Sequence, residues 1–131
     1  MDRPEGDIDV KGLELFLTSM KNRLGLLGGE VIYDTGEARK KNQDFLLETG
    51  WFGTKRKDCL LLLEKEDYYQ GPLHNDDKFG EDIWVFGKRF DGRLCYIKIY
   101  LLNPLNNVYC VSFHFAEYDM YLPLRGVTEN K

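Results

Sequence analysis

Imidazole is the side chain whose ordinary titration lies nearest neutrality, and the chain has two histidines, His74 and His114. His114 stands in VYCVSFHFAE, residues 108–117. Alternate residues there separate into Tyr109, Val111, Phe113 and Phe115 on one side and Cys110, Ser112, His114 and Ala116 on the other. A strand that turns the first set inward presents His114 on the opposite face. LCYIKIYLL places Tyr96, Lys98 and Tyr100 at alternate positions, and DIWVFGKRF does the same for Val85, Gly87 and Arg89. Paired as a meander, these strands put Arg89, Tyr96, Lys98, Tyr100, Ser112 and His114 on one face. Rings of that kind stack on bases and cations of that kind contact phosphates. The same residues also suit an ordinary solvated sheet face.

Such a face needs elements that hold it. Asp91-Gly92 between two β-rich runs is a strong signal for a tight hairpin. A two-residue turn fixes the register and pairs Phe90 with Arg93, Lys88 with Cys95, Phe86 with Ile97, and Trp84 with Ile99. Trp84, Phe86, Cys95, Ile97 and Ile99 then form the face beneath the helices. Lys88 falls on that face too, where an isolated charge is costly, unless it snorkels outward or a bulge turns it. NPLNN joins the second and third strands. Ahead of the strands, Val10, Leu13, Leu17, Met20 and Leu24 recur at helical spacing behind a capping Asp9. EVIYD reads as a short strand, and TGEARKKNQDFLLETGW as a second helix ended by Gly50. GTKRKDCLLLLEKEDYYQGP reads as a third helix, begun at Thr54 and stopped before Gly71-Pro72. The fold class is α+β, with N-terminal helices packed on one face of a C-terminal antiparallel β-meander. The expected division is a flexible tail over 1–8, one domain over 9–120, and a C-terminal arm over 121–131. EYDMYLPLRG in that arm either packs back or docks a partner.

The chain has 131 residues, 43% of them hydrophobic, and a formal net charge of −4. That is enough apolar material for a single core, and the acidity weighs against generic nucleic-acid binding. The charge is uneven, however: six cations lie between Arg39 and Lys57 against two acids, Asp44 and Glu48. KRKDC within that stretch starts a helix, and its cations could touch RNA or the ribosome. Three cysteines without metal spacing suit a reducing compartment. No long apolar run and no secretory pattern is seen, so the expected location is cytoplasmic, with no membrane partner. His74 and the acids of LHNDDKFGED lack the spacing of a calcium or zinc site. No metal site and no cofactor is expected. Gly28-Gly29 lacks the Lys and hydroxyl residue of a phosphate loop and is a turn.

One ordered set of motifs goes further. EVIYDTGEARKKNQDFLLETGW, CLLLLEKEDYYQGP, DIWVFGKRFDGRLCYIKIYL and VSFHFAE resemble the MqsR-like toxins, and the resemblance runs from about Gly12 to Glu117. It implies a RelE-like fold and a messenger-RNA interferase of a type II toxin–antitoxin system, silenced by a cognate antitoxin protein, with the ribosome as a further candidate partner. The family's lysine after its Asp-Phe-Tyr stretch corresponds to Gln70, and its glutamine after Ile-Trp to Val85. Its second-strand tyrosine is kept as Tyr96. Its lysine after Ser-Phe is replaced by His114. The implied chemistry is attack by the RNA's own 2′-hydroxyl. His114 serves as acid or base. Tyr96 donates a hydrogen bond, or acts as an acid where cations lower its pKa. Lys98 stabilises developing phosphate charge, and Gln70 positions a phosphate or base. Arg89, Lys88, Tyr100 and Ser112 contact the RNA. The rival reading is a non-catalytic protein-interaction module that uses the same face or the C-terminal arm.

Overall fold

The computed structural model describes residues 7–131. The tail expected over 1–8 lies outside the described residues as far as residue 6, and Ile8 is buried against the core. Helix α1, Val10–Gly25, opens where the Asp9 carboxylate accepts the Gly12 N–H at 2.8 Å. Its buried stripe is Leu13, Phe16, Leu17, Met20 and Leu24. Strand β1 is Val31–Tyr33, and helix α2, Arg39–Thr49, stops at Gly50, whose φ of 72° suits the left-handed C-cap.

The third helix is shorter than the sequence suggests. Helix α3 covers only Lys55–Leu61, a single 3-10 turn follows at Lys65–Asp67, and Tyr68–Leu73 is strand β2. The Asp67 carboxylate turns back to accept the Glu64 N–H at 2.9 Å, a local bond that competes with helix continuation. Two tyrosines then favour a half-buried strand, and the Tyr68 hydroxyl donates to the Gly71 carbonyl at 2.8 Å.

Strands β3 (Ile83–Phe90), β4 (Arg93–Leu102) and β5 (Asn107–Phe115) complete a five-stranded sheet of order β1-β5-β4-β3-β2. Strands β2 to β5 form the antiparallel meander, but β1 runs parallel to β5, so the sheet is mixed. The molecule is thus mixed α+β, with three helices and this sheet. Asp91 and Gly92 have φ of 52° and 82°, and all four expected pairings of the hairpin are present. The helices cover the face of Trp84, Phe86, Cys95, Ile97 and Ile99.

Strict alternation in β5 fails at one residue. Lys98 opposes Ser112 but Ile99 opposes Cys110, which leaves Val111 as a bulge. The bulge reverses the side-chain parity before it. Cys110 therefore enters the core, while Tyr109, expected inward, stacks on Tyr100 with ring centroids 4.9 Å apart. Strand β1 pairs β5 only as far as Cys110. Beyond it, α2 supplies Asn42, whose amide donates to the Val111 carbonyl at 3.0 Å and accepts the Phe113 N–H at 2.9 Å. The residues after β5 return as a hairpin, β6 (Met120–Leu122) and β7 (Val127–Glu129). Met120 and Leu122 pack with Leu94 on the outer face, and Met120 leaves no room for a side chain at Gly87. Among the described residues, no helix is long and apolar enough to cross a membrane.

Candidate functional site

The hairpin β6–β7 covers one end of the outer face. What stays accessible is a cleft of about 480 Å³ floored by Tyr96, Lys98, Val111, Ser112 and His114. Tyr96 and His114 are directly opposed across β4 and β5, and their rings stack at 5.4 Å with planes 14° apart. His114 Nδ1 lies 2.9 Å from the Phe115 carbonyl oxygen. A carbonyl can only accept, so Nδ1 carries the hydrogen. Nε2, without a partner among the described residues, is the nitrogen left to exchange a proton.

Tyr96 differs from one expectation. Burial first, and the neighbouring Tyr118 hydroxyl second, push its phenol up to about 12. No cation lowers it, so Tyr96 is a donor and not a phenolate at neutral pH. Lys98 lies between Val85 on β3 and Ser112 on β5, and its ammonium has no anionic partner among the described residues.

The walls come from parts of the chain that the motifs do not mark. The β1–α2 connection and first turn of α2 bring Asp34, Glu37, Ala38 and Lys41, and the end of β5 brings Glu117 and Tyr118. Lys41 Nζ and Glu117 Oε1 are 2.6 Å apart, a bond that holds the Glu117 carboxyl below its usual range. His114, Lys41 and Glu117 also line a second depression of about 170 Å³ beside Asp44 and Glu48. The Lys41–Glu117 pair therefore stands between two adjoining hollows. Asp34 is held in place by the Tyr109 hydroxyl at 2.8 Å and the Ala38 N–H at 3.1 Å.

Four expected site residues lie elsewhere. Gln70 is exposed on strand β2, not at a helix end; it pairs with buried Val85 and does not line the cleft. Lys88 keeps the expected register but is not isolated: its ammonium is 3.2 Å from Asp67 Oδ2, and Arg125 holds the other oxygen at 2.7 Å. Arg89 binds Glu129 at 2.9 Å and the Asn130 carbonyl at 2.6 Å, which ties down the C-terminal hairpin. Tyr100 is buried and donates to Asp77 Oδ2 at 2.8 Å. Lys41, Glu117 and Tyr118 are the cleft residues that sequence reasoning missed. The available signal was Asn42, a buried polar residue three positions before core-facing Phe45. It announces a helix docked by its amide, and Lys41 is its neighbour. Among the described residues, no cluster of His, Cys, Asp or Glu has the makings of a metal site. No family model, no curated protein and no solved structure matches the chain.

Proposed function

We propose that this chain is a small endoribonuclease of the messenger-RNA interferase type, with a RelE-like fold, and that it is the toxin of a type II toxin–antitoxin pair. The observation that carries the reading is the free Nε2 of His114, stacked on Tyr96 and facing the same cleft as the unpaired Lys98. The resemblance of the motifs to the MqsR-like toxins supports it. In the neutral state Nε2 takes the proton of an RNA 2′-hydroxyl. The 2′-oxygen attacks the adjacent phosphorus, the bond to the 5′-oxygen breaks, and a cyclic phosphate and a free 5′-hydroxyl result. Lys98 and the Ser112 hydroxyl stand where the phosphorane gathers negative charge. Tyr96, still protonated, donates to that charge or to the leaving oxygen. The chemistry calls on no metal and no cofactor. Messenger RNA is the substrate, the protein acts in the cytoplasm, and a cognate antitoxin silences it by covering the cleft or the helical face.

The second reading, a protein-interaction module, is favoured by one observation: Asp34, Glu37 and Glu117 put three carboxylates around the cleft, which repel a phosphate backbone. Expression of the chain and of His114→Ala, with growth and total RNA followed, separates the two. Growth arrest with RNA cleavage by the parent and not by the variant supports the nuclease. A parent that neither arrests growth nor cuts RNA, with or without ribosomes, leaves only the module.

A further inference from the structure

Six arginines fall among the described residues. Arg23, Arg89, Arg93 and Arg125 each hold a carboxylate, those of Glu81, Glu129, Glu48 and Asp67. The two without an anionic partner, Arg39 and Arg56, line one depression of about 230 Å³ between the end of β1 and α2. Arg56 comes from α3 and lays its guanidinium flat on the Tyr33 ring, 3.5 Å from the centroid. That stacking covers one face of the group and leaves its in-plane donors. Its Nε is buried and has no hydrogen-bond partner. A buried charged donor without an acceptor is costly. Planar forks of this kind match phosphate oxygens in pairs. Asn42 and Gln43 add amides to the wall. The one carboxylate present, Asp34, already accepts from Tyr109 and Ala38. Asp34 also lines the catalytic cleft, so the two hollows meet at this residue.

We propose that the Arg39–Arg56 depression binds a backbone phosphate of the RNA strand, next along from the phosphate that is cleaved over Lys98. The assignment rests on the nuclease reading. It also answers how an acidic chain holds RNA. The strand crosses the β1–α2 connection at Asp34 and is gripped beyond it by the two arginines, away from the carboxylates of the cleft rim.

The test uses a short oligoribonucleotide made uncleavable by 2′-O-methylation, titrated at several salt concentrations against the full chain, Arg39→Gln and Arg56→Met. Methionine keeps the apolar stem against Tyr33, and circular dichroism checks that each variant folds. Arg39→Gln, on the exposed first turn of α2, keeps the test open if Arg56→Met does not fold. The expected result is a loss of affinity of about three- to tenfold per variant. The slope of log affinity on log salt should flatten by about 0.7 for each phosphate contact removed from a single strand. With cleavable RNA, KM rises while kcat holds, the mark of binding lost equally from ground and transition states. Unchanged affinity and slope in both variants overturn the site. Binding of inorganic phosphate at the arginines without any effect of the variants on the oligonucleotide overturns the RNA as occupant. Cleavage that needs His114 but ignores both arginines sinks this inference alone. Oligonucleotide binding that needs the arginines, with no cleavage by the parent, sinks the nuclease reading instead.

Discussion

The Phe115 carbonyl decides what His114 can do. By taking the Nδ1 hydrogen at 2.9 Å it fixes the ring and points Nε2 at the cleft. His114→Ala should lower RNA cleavage by about a hundredfold or more, the range for loss of an acid–base group, with little change in RNA affinity. His114→Gln keeps a polar side chain but cannot cycle a proton, so single-turnover cleavage should fall as far. Cleavage by the glutamine variant at parental rate would remove proton transfer from the role of this residue. Tyr96→Phe separates stack from hydroxyl. The ring contact with His114 stays, and loss of one donor to transition-state charge should cost about a hundredfold in kcat with KM unmoved. A parental kcat would leave Tyr96 as packing. His114, Tyr96, Lys98 and Ser112 were all legible in the sequence, because alternation and a two-residue turn place them without any tertiary knowledge. Lys41, Glu117 and Tyr118 were not, since each reaches the cleft only through the docking of a helix or the turn after β5.

At the scale of elements, the docking of α2 depends on Asn42. The strand register was readable from Asp91-Gly92, whose positive φ values leave the hairpin one register. The bulge at Val111 was not, because nothing local marks it. It follows from where β1 ends: past Cys110 the outer edge of β5 has no strand, and the Asn42 amide bonds Val111 and Phe113 in its place. That bond pair holds α2, and with it Lys41, against the cleft. Asn42→Ala leaves the Phe113 N–H and the Val111 carbonyl without their partner in a buried setting. The expected loss is about 2–3 kcal/mol of stability, from the cost of unmade buried hydrogen bonds, read from the midpoint of urea unfolding. Cleavage at temperatures where the variant is folded should also fall, since the Lys41 wall loosens. A midpoint equal to the parent's would mean that α2 is held by Phe45 and its aromatic neighbours alone. The lost third helix has the same kind of cause. KRKDCLLLLEKEDYY is helical by composition, and only the return of Asp67 to Glu64, with Lys88 and Arg125 gathered on its carboxylate, ends it.

Taken whole, the molecule buries acids that ionise only at high pH. Burial pushes the phenols of Tyr33, Tyr96 and Tyr109 from 10.0 up to about 12. It pushes the thiols of Cys95 and Cys110 from 9.0 up to about 12, and that of Cys59 to about 11. In each case the folded chain holds a proton that the unfolded chain gives up, so unfolding releases protons in this window. Stability from these groups is fully present below their unfolded values and declines as pH rises through the folded ones. The first loss belongs to the cysteines, above about pH 9, where the unfolded thiol begins to ionise. The tyrosines join about a unit higher, and the decline is complete near the folded values of about 12. The sum is steep because both layers contribute. Tyr33, Cys59, Cys95 and Cys110 lie with the helical core, while Tyr96 and Tyr109 lie on the outer face. Thermal midpoints measured from neutral pH upward should therefore hold steady on their account and then fall with increasing slope above about pH 9. Tyrosinate absorbance should rise together with unfolding, not before it. Tyrosinate appearing in the still-folded protein near its ordinary pH would show these phenols to be solvated, and Tyr96 would then be free to ionise in the cleft.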